Sequence, residues 1–100
     1  MHSNDLHNLI KKYPVKQLLL TGNKISDEGV VHILKAVALS SLEGLSLADN
    51  RISEKSTENI VYTLKNCKAL KQLDLTGNQI TGRLMKNKLK NALTSIEVLV

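Results

Sequence analysis

The side chains with the most chemistry to offer in this chain recur at intervals. Asn23, Asn50 and Asn78 each follow a leucine by five residues and precede a hydroxyl (Ser26, Ser53, Thr81) by three. An amide donates and accepts at once, so at this spacing it suits pairing with the backbone of a turn. Cations crowd elsewhere. Arg83, Lys86, Lys88 and Lys90 fall in one segment with no acid between Gln79 and Ser95, and Lys65, Lys68 and Lys71 come just before it. Such a basic patch would grip phosphates or an acidic protein. Nucleic acid is disfavoured because no aromatic residue is near to stack bases, and a lysine-rich solvated face is the commoner meaning of such a run. Cys67 is the single thiol. Nucleophilic use would need a lowered pKa, so a small apolar filler is the simpler role. His2, His7 and His32 have no spacing with Cys67 that suggests zinc and read as surface residues. No G-x-S-x-G, P-loop or dinucleotide fingerprint is present. Catalysis, a cofactor and a metal are therefore not expected.

The elements that would position these groups follow from a repeat. Val15-Lys-Gln-Leu18-Leu-Leu20-Thr-Gly-Asn23-Lys-Ile25 has the form L-x-x-L-x-L-x-x-N-x-I, with valine first. Leu42 to Ile52 and Leu70 to Ile80 repeat it, and Ile96-Glu-Val-Leu99-Val100 begins a fourth copy. The steps between copies are 27, 28 and 26 residues. The chain thus divides, within a single domain 1–100, into a partial repeat 1–14, repeats 15–41, 42–69 and 70–95, and a truncated repeat 96–100. Side chains alternate along a strand. Leu45 and Leu47 point one way and Ser46 the other; Leu73 and Leu75 point inward and Asp74 outward. A sheet covered on both faces would show continuous apolar runs instead, so helices are expected on one side only.

Helices are expected over 27–38, 54–66 and 82–94, capped by Ser26, Ser53 and Thr81. Asp27, Glu28 and Glu54 favour the first turns through the helix dipole. Val30, Ile33, Leu34 and Val37 would face inward from the first helix. Ile60, Val61 and Leu64 would do so from the second, and Met85, Leu89, Ala92 and Leu93 from the third. Lys88 stands eight residues after Ile80, where Ile33 and Ile60 follow Ile25 and Ile52, so the third helix should pack with a shift. Upstream, Asn4 or Asp5 would cap a short helix carrying Leu6, Leu9 and Ile10, ended by Pro14. Short links and right-handed crossovers give a parallel sheet.

Outward strand positions would form rows across the open face: Gln17, Gly44, Gln72 and Val98; Leu19, Ser46, Asp74 and Val100; Thr21, Ala48 and Thr76. An apolar spot at Leu19 and a carboxylate at Asp74 make this a candidate binding surface. None of the Trp, Tyr or Arg residues that favour hot spots lies in it, and a solvated face is the plain alternative.

These copies resemble leucine-rich repeats of the ribonuclease-inhibitor type, as found in ribonuclease inhibitors, Ran GTPase-activating proteins and NOD-like immune receptors. The resemblance runs over about residues 6–100. It implies an α/β solenoid, a right-handed β-α superhelix with its parallel sheet on the concave face and helices on the convex face. It also implies a protein partner on the concave face, at Gln17, Leu19, Thr21, Gly44, Ser46, Ala48, Gln72, Asp74 and Thr76. The asparagines would then form a structural ladder. Few repeats and no obvious polar caps suggest a segment of a larger protein, or self-association through the exposed end strand. A spacer within a long solenoid is a further reading.

Bulk properties agree. The chain has 100 residues and a net charge of +5, with 42% apolar but only 2% aromatic residues, so aliphatic layers build the core. One cysteine and no N-x-[ST] site fit a reducing, cytoplasmic setting. No apolar run suits a signal peptide or a membrane span.

Overall fold

A computed structural model describes residues 16–100. The expected short helix at Leu6–Ile10, its cap, Pro14, His2 and His7 lie outside the described residues. Within them, strands β1 (Gln17–Leu19), β2 (Gly44–Ser46), β3 (Gln72–Asp74) and β4 (Glu97–Leu99) alternate with helices α1 (Asp27–Ala38), α2 (Thr57–Leu64) and α3 (Arg83–Ala92). The strands form one parallel sheet in the order β1-β2-β3-β4. Leu18, Leu45, Leu73 and Val98 lie side by side across it. Backbone pairing runs on past the strands: Gly22 N–H donates to the Ala48 carbonyl and Asp49 N–H to the Thr76 carbonyl. A second, minor ladder joins Ser26 to Arg51 and Ser53 to Gln79 beyond the turns.

The helices cover one face of the sheet. Leu42, Leu45, Leu47 and Ile52 from one coil stack on Leu70, Leu73, Leu75 and Ile80 from the next, and Val30, Leu34, Val37, Ile60, Leu64, Leu89 and Leu93 close over them. Cys67 is buried in the same cluster. Burial of this kind contributes about 1.5–3 kcal/mol per large aliphatic side chain. The bend after each strand demands a left-handed backbone. Gly22 (φ +70°), Asp49 (φ +54°) and Gly77 (φ +72°) occupy equivalent places. Asp49 is the residue there that incurs a cost, about 1–2 kcal/mol.

The helix starts depart in part from the sequence reading. Ser26 caps α1, its Oγ accepting from Gly29 N–H at 3.5 Å. Ser53 caps a single 3-10 turn, Glu54–Ser56, from which α2 then begins. The expected helix 54–66 is thus split and shorter. Thr81 does not cap α3; Gly82 does, and the Gly82 N–H reaches Glu54 of the coil before at 3.0 Å. Leu89 rather than Lys88 fills the buried slot, the shift expected for this helix, whereas Ala92, expected inward, is exposed. Ile33, Val61 and Met85 are half-buried, packed against the core, and Ala36 is an additional buried residue of α1.

The largest correction concerns β4. Matching Ile96 to Leu70 and Leu99 to Leu73 would turn Val98 and Val100 outward. Instead Val98 pairs with Leu73, Glu97 with Gln72 and Leu99 with Asp74. A slip of one residue in register turns every side chain to the other face. The reason lies in the preceding turn. α3 stops at Ala92, Leu93 and Ile96 are both buried, and Ile96 N–H bonds the Leu93 carbonyl at 3.1 Å. That tight return makes the last step one residue shorter. Val98 is buried, Val100 is half-buried, and Glu97 and Leu99 face out.

Candidate functional site

The open face of the sheet is built from alternate residues of four short strands. Its first row is Gln17, Gly44, Gln72 and Glu97; its second is Leu19, Ser46, Asp74 and Leu99. Thr21, Ala48 and Thr76 continue it toward the turns. Not all of these offer a side chain. Gly44 is buried under the Gln17 side chain, whose Oε1 lies where a Cβ on Gly44 would have to go. Ala48 is buried as well. What a partner would meet is a low middle strand between two taller ones.

Polar groups on this face are tied down locally. Thr21 and Ser46 share a hydroxyl hydrogen bond of 2.8 Å. Asp74 Oδ1 accepts from Thr76 N–H at 2.9 Å and from Thr76 Oγ1 at 2.7 Å. Large apolar side chains stand exposed at both ends of the second row, Leu19 at 73% and Leu99 at 48%.

Behind the face, the asparagines join one coil to the next. Asn50 Oδ1 accepts from Asn23 N–H at 2.8 Å and Ile25 N–H at 2.9 Å. Its amide nitrogen donates to the carbonyls of Leu20, Leu47 and Ala48 at 3.0, 2.9 and 3.1 Å. Asn78 accepts from Ile52 N–H at 3.0 Å and donates to Leu47 and Leu75 at 2.8 and 3.0 Å. Asn23 is exposed and donates to Thr21 O at 3.2 Å.

A second set of links runs the other way, and the sequence reading gave no hint of it. Asp27 lies in the first turn of α1, where the helix dipole favours an acid. Its carboxylate accepts from Ser53 N–H (2.8 Å), Ser53 Oγ (2.6 Å) and Ser56 Oγ (2.5 Å) of the next coil. Partial burial works to raise this carboxyl. The two serine hydroxyls, the Ser53 amide and the charge of Lys55 outweigh it and hold the group below its ordinary range. The sign follows from that direction. A carboxylate depressed in the folded state lends stability above its unfolded value and loses it as pH falls through the folded one. Asp27→Ala is therefore expected to cost about 1.5 kcal/mol at neutral pH, the low end for charged hydrogen bonds at a partly exposed site. The gap to the unmutated chain should close on acidification below the carboxylate range, as read by urea denaturation across pH.

Charges also meet across coils where the sequence shows only runs. Glu43 stands between Lys16 (3.1 Å) and Lys71 (4.0 Å). The hydrogen bond from Lys16, its charge and that of Lys71 lower the Glu43 carboxyl. In the basic segment, Lys88 pairs with Glu58 of the preceding coil at 3.4 Å. Arg83, Lys86 and Lys90 carry no ion pair among the described residues, and Lys86 is half-buried. Lys65 lies 6.0 Å from the centre of the exposed Tyr62 ring. His32 is exposed. Among the described residues no three His, Cys, Asp or Glu side chains gather as a metal site would need. No described helix is long and apolar enough to cross a membrane. Glu97, Leu99, Asp27, Glu43 and Glu58 were the residues missed. An offset of one period from a partner was the available signal for Asp27 and Glu43.

A family model described as leucine rich repeat matches residues 14–34 and 66–83. No curated protein matches the chain. The matched segments and the parallel sheet with helices on one face together give the fold, a small α/β solenoid of leucine-rich repeats. Leucine-rich-repeat domains generally mediate protein–protein interaction.

Proposed function

We propose that this domain is a non-catalytic interaction module, a segment of a larger intracellular repeat protein of the ribonuclease-inhibitor type, which receives a protein partner on its open sheet face. The observation that supports this reading is the division of labour in the sheet. Inward positions are spent on the core, whereas the outward row runs Leu19, Ser46, Asp74, Leu99 with an exposed leucine at each end. Such a row offers apolar contact flanking hydrogen-bonding groups, the usual composition of an interface. The cations of α3 give weaker support to an acidic partner, since Lys88 is already engaged by Glu58.

Site-specific photo-crosslinking in the native cell tests the reading. A crosslinker at Ser46 should capture a discrete protein adduct, and one at the exposed His32 on the helix side should not. Leu19→Ala combined with Asp74→Ala should abolish the Ser46 adduct with the helical CD signal intact. Adducts from His32 alone, or a Ser46 adduct indifferent to the double change, would reject this face.

A further inference from the structure

The register of β4 changes the electrostatic character of the open face. With Glu97 turned outward, the outward strand positions carry two carboxylates, Asp74 and Glu97, and no lysine or arginine. The chain as a whole is at +5, so the charge of these positions is opposite in sign to the total. Asp74 and Glu97 stand on adjacent strands, two register positions apart. With strands about 4.8 Å apart and a rise of about 3.3 Å per residue, the two positions lie about 8 Å apart on the diagonal, a gap that one guanidinium fills when both carboxylates lean toward it. Asp74 Oδ1 is held by Thr76, and among the described residues nothing bonds the second oxygen. Glu97 has no ion pair among the described residues. Leu99, the register partner of Asp74, adds an exposed apolar surface beside the pair.

Resting on the reading that the sheet face is the docking surface, we infer that its occupant is an extended, arginine-bearing segment of a protein. One guanidinium lies between Asp74 and Glu97, and a neighbouring apolar side chain rests on Leu99. Arginine fits better than lysine because its rigid fork offers donors to two acceptors at once. The buried Gly44 and Ala48 keep the middle strand low, so an extended backbone can approach once the exposed Gln17 side chain that covers Gly44 swings aside.

The test is an NMR titration of the ¹⁵N-labelled chain with three capped hexapeptides of alternating residues: arginine–leucine, glutamine–leucine and glutamate–leucine. The arginine peptide should shift the amides of Ser46, Asp74 and Leu99, and salt should weaken it. Asp74→Asn with Glu97→Gln should reduce its affinity roughly tenfold or more. If that double variant loses its dispersed spectrum, Glu97→Gln alone, at an exposed position, should still weaken the arginine peptide. Equal shifts by the glutamine peptide would overturn the charge inference and leave the sheet-face reading standing. Shifts confined to the helix side, or none with any peptide, would overturn both.

Discussion

Leu73→Ala is expected to destabilise the fold by about 2–5 kcal/mol, the range for a leucine truncated inside a packed core. Leu73 has no exposed surface and lies between Leu45 on one strand and Val98 on the other. Neither neighbour can move into the space without leaving its own strand register, so the cavity should persist. The setting makes the loss count further. In a stacked repeat each coil is stabilised mainly by the coils beside it, and β3 is the strand through which β2 and β4 communicate. For a domain whose total stability is about 5–15 kcal/mol, such a loss consumes much of it. Urea denaturation should show a lower midpoint with a similar slope. Leu19→Ala, on the open face, should change the midpoint little. An unaltered midpoint for Leu73→Ala would mean that the stack does not run through this strand.

The second large effect is expected at Asn50. This side chain is buried and is the sole described partner holding Asn23 N–H and Ile25 N–H, while it also donates to three carbonyls. Asn50→Ala removes all of these at once. Each buried polar group left unpaired costs about 1–3 kcal/mol, and some will be regained by water, so a total of about 3 kcal/mol is expected. Amide hydrogen exchange gives the specific readout. The N–H groups of Asn23 and Ile25 should lose protection ahead of the core helices. Asn23→Ala, at the exposed member of the series, should cost less than half as much. Equal costs at the two positions would show that the amides act one by one and not as links between coils.

How far the sequence carried can be judged from these same residues. The leucine spacing located three strands and their inward sides, because alternation and burial are local and leave a mark in every copy. The asparagines were recognisable for the same reason: one residue type recurs wherever one turn recurs. The fourth strand was misread because Ile96-x-x-Leu99 imitates the repeat. Its true register depends on how tightly the chain returns from α3, with Leu93 and Ile96 both drawn into the core. That is a packing decision between elements, and no window of sequence contains it. The candidate site inherited the error, since Glu97 and Leu99 face out only once the register is known. Asp27 was read by its place on its own helix, whereas its partners, Ser53 and Ser56, belong to the next. Likewise the basic run at 83–90 looked free of acids along the chain, but Glu58 meets it from the coil before.

The acid clasps at the helix starts have a temporal side. Asp27 serves the coil after it, and Glu54 does the same for Gly82. Ribosomes release a polypeptide from its N-terminus, so each acceptor is made some 26 to 28 residues ahead of the donor it will hold. In each new coil the asparagine thus emerges first and links to the coil before, and the serine or glycine that follows it then meets a waiting carboxylate. Growth by this order needs no distant part of the chain to be present, and assembly can keep pace with translation.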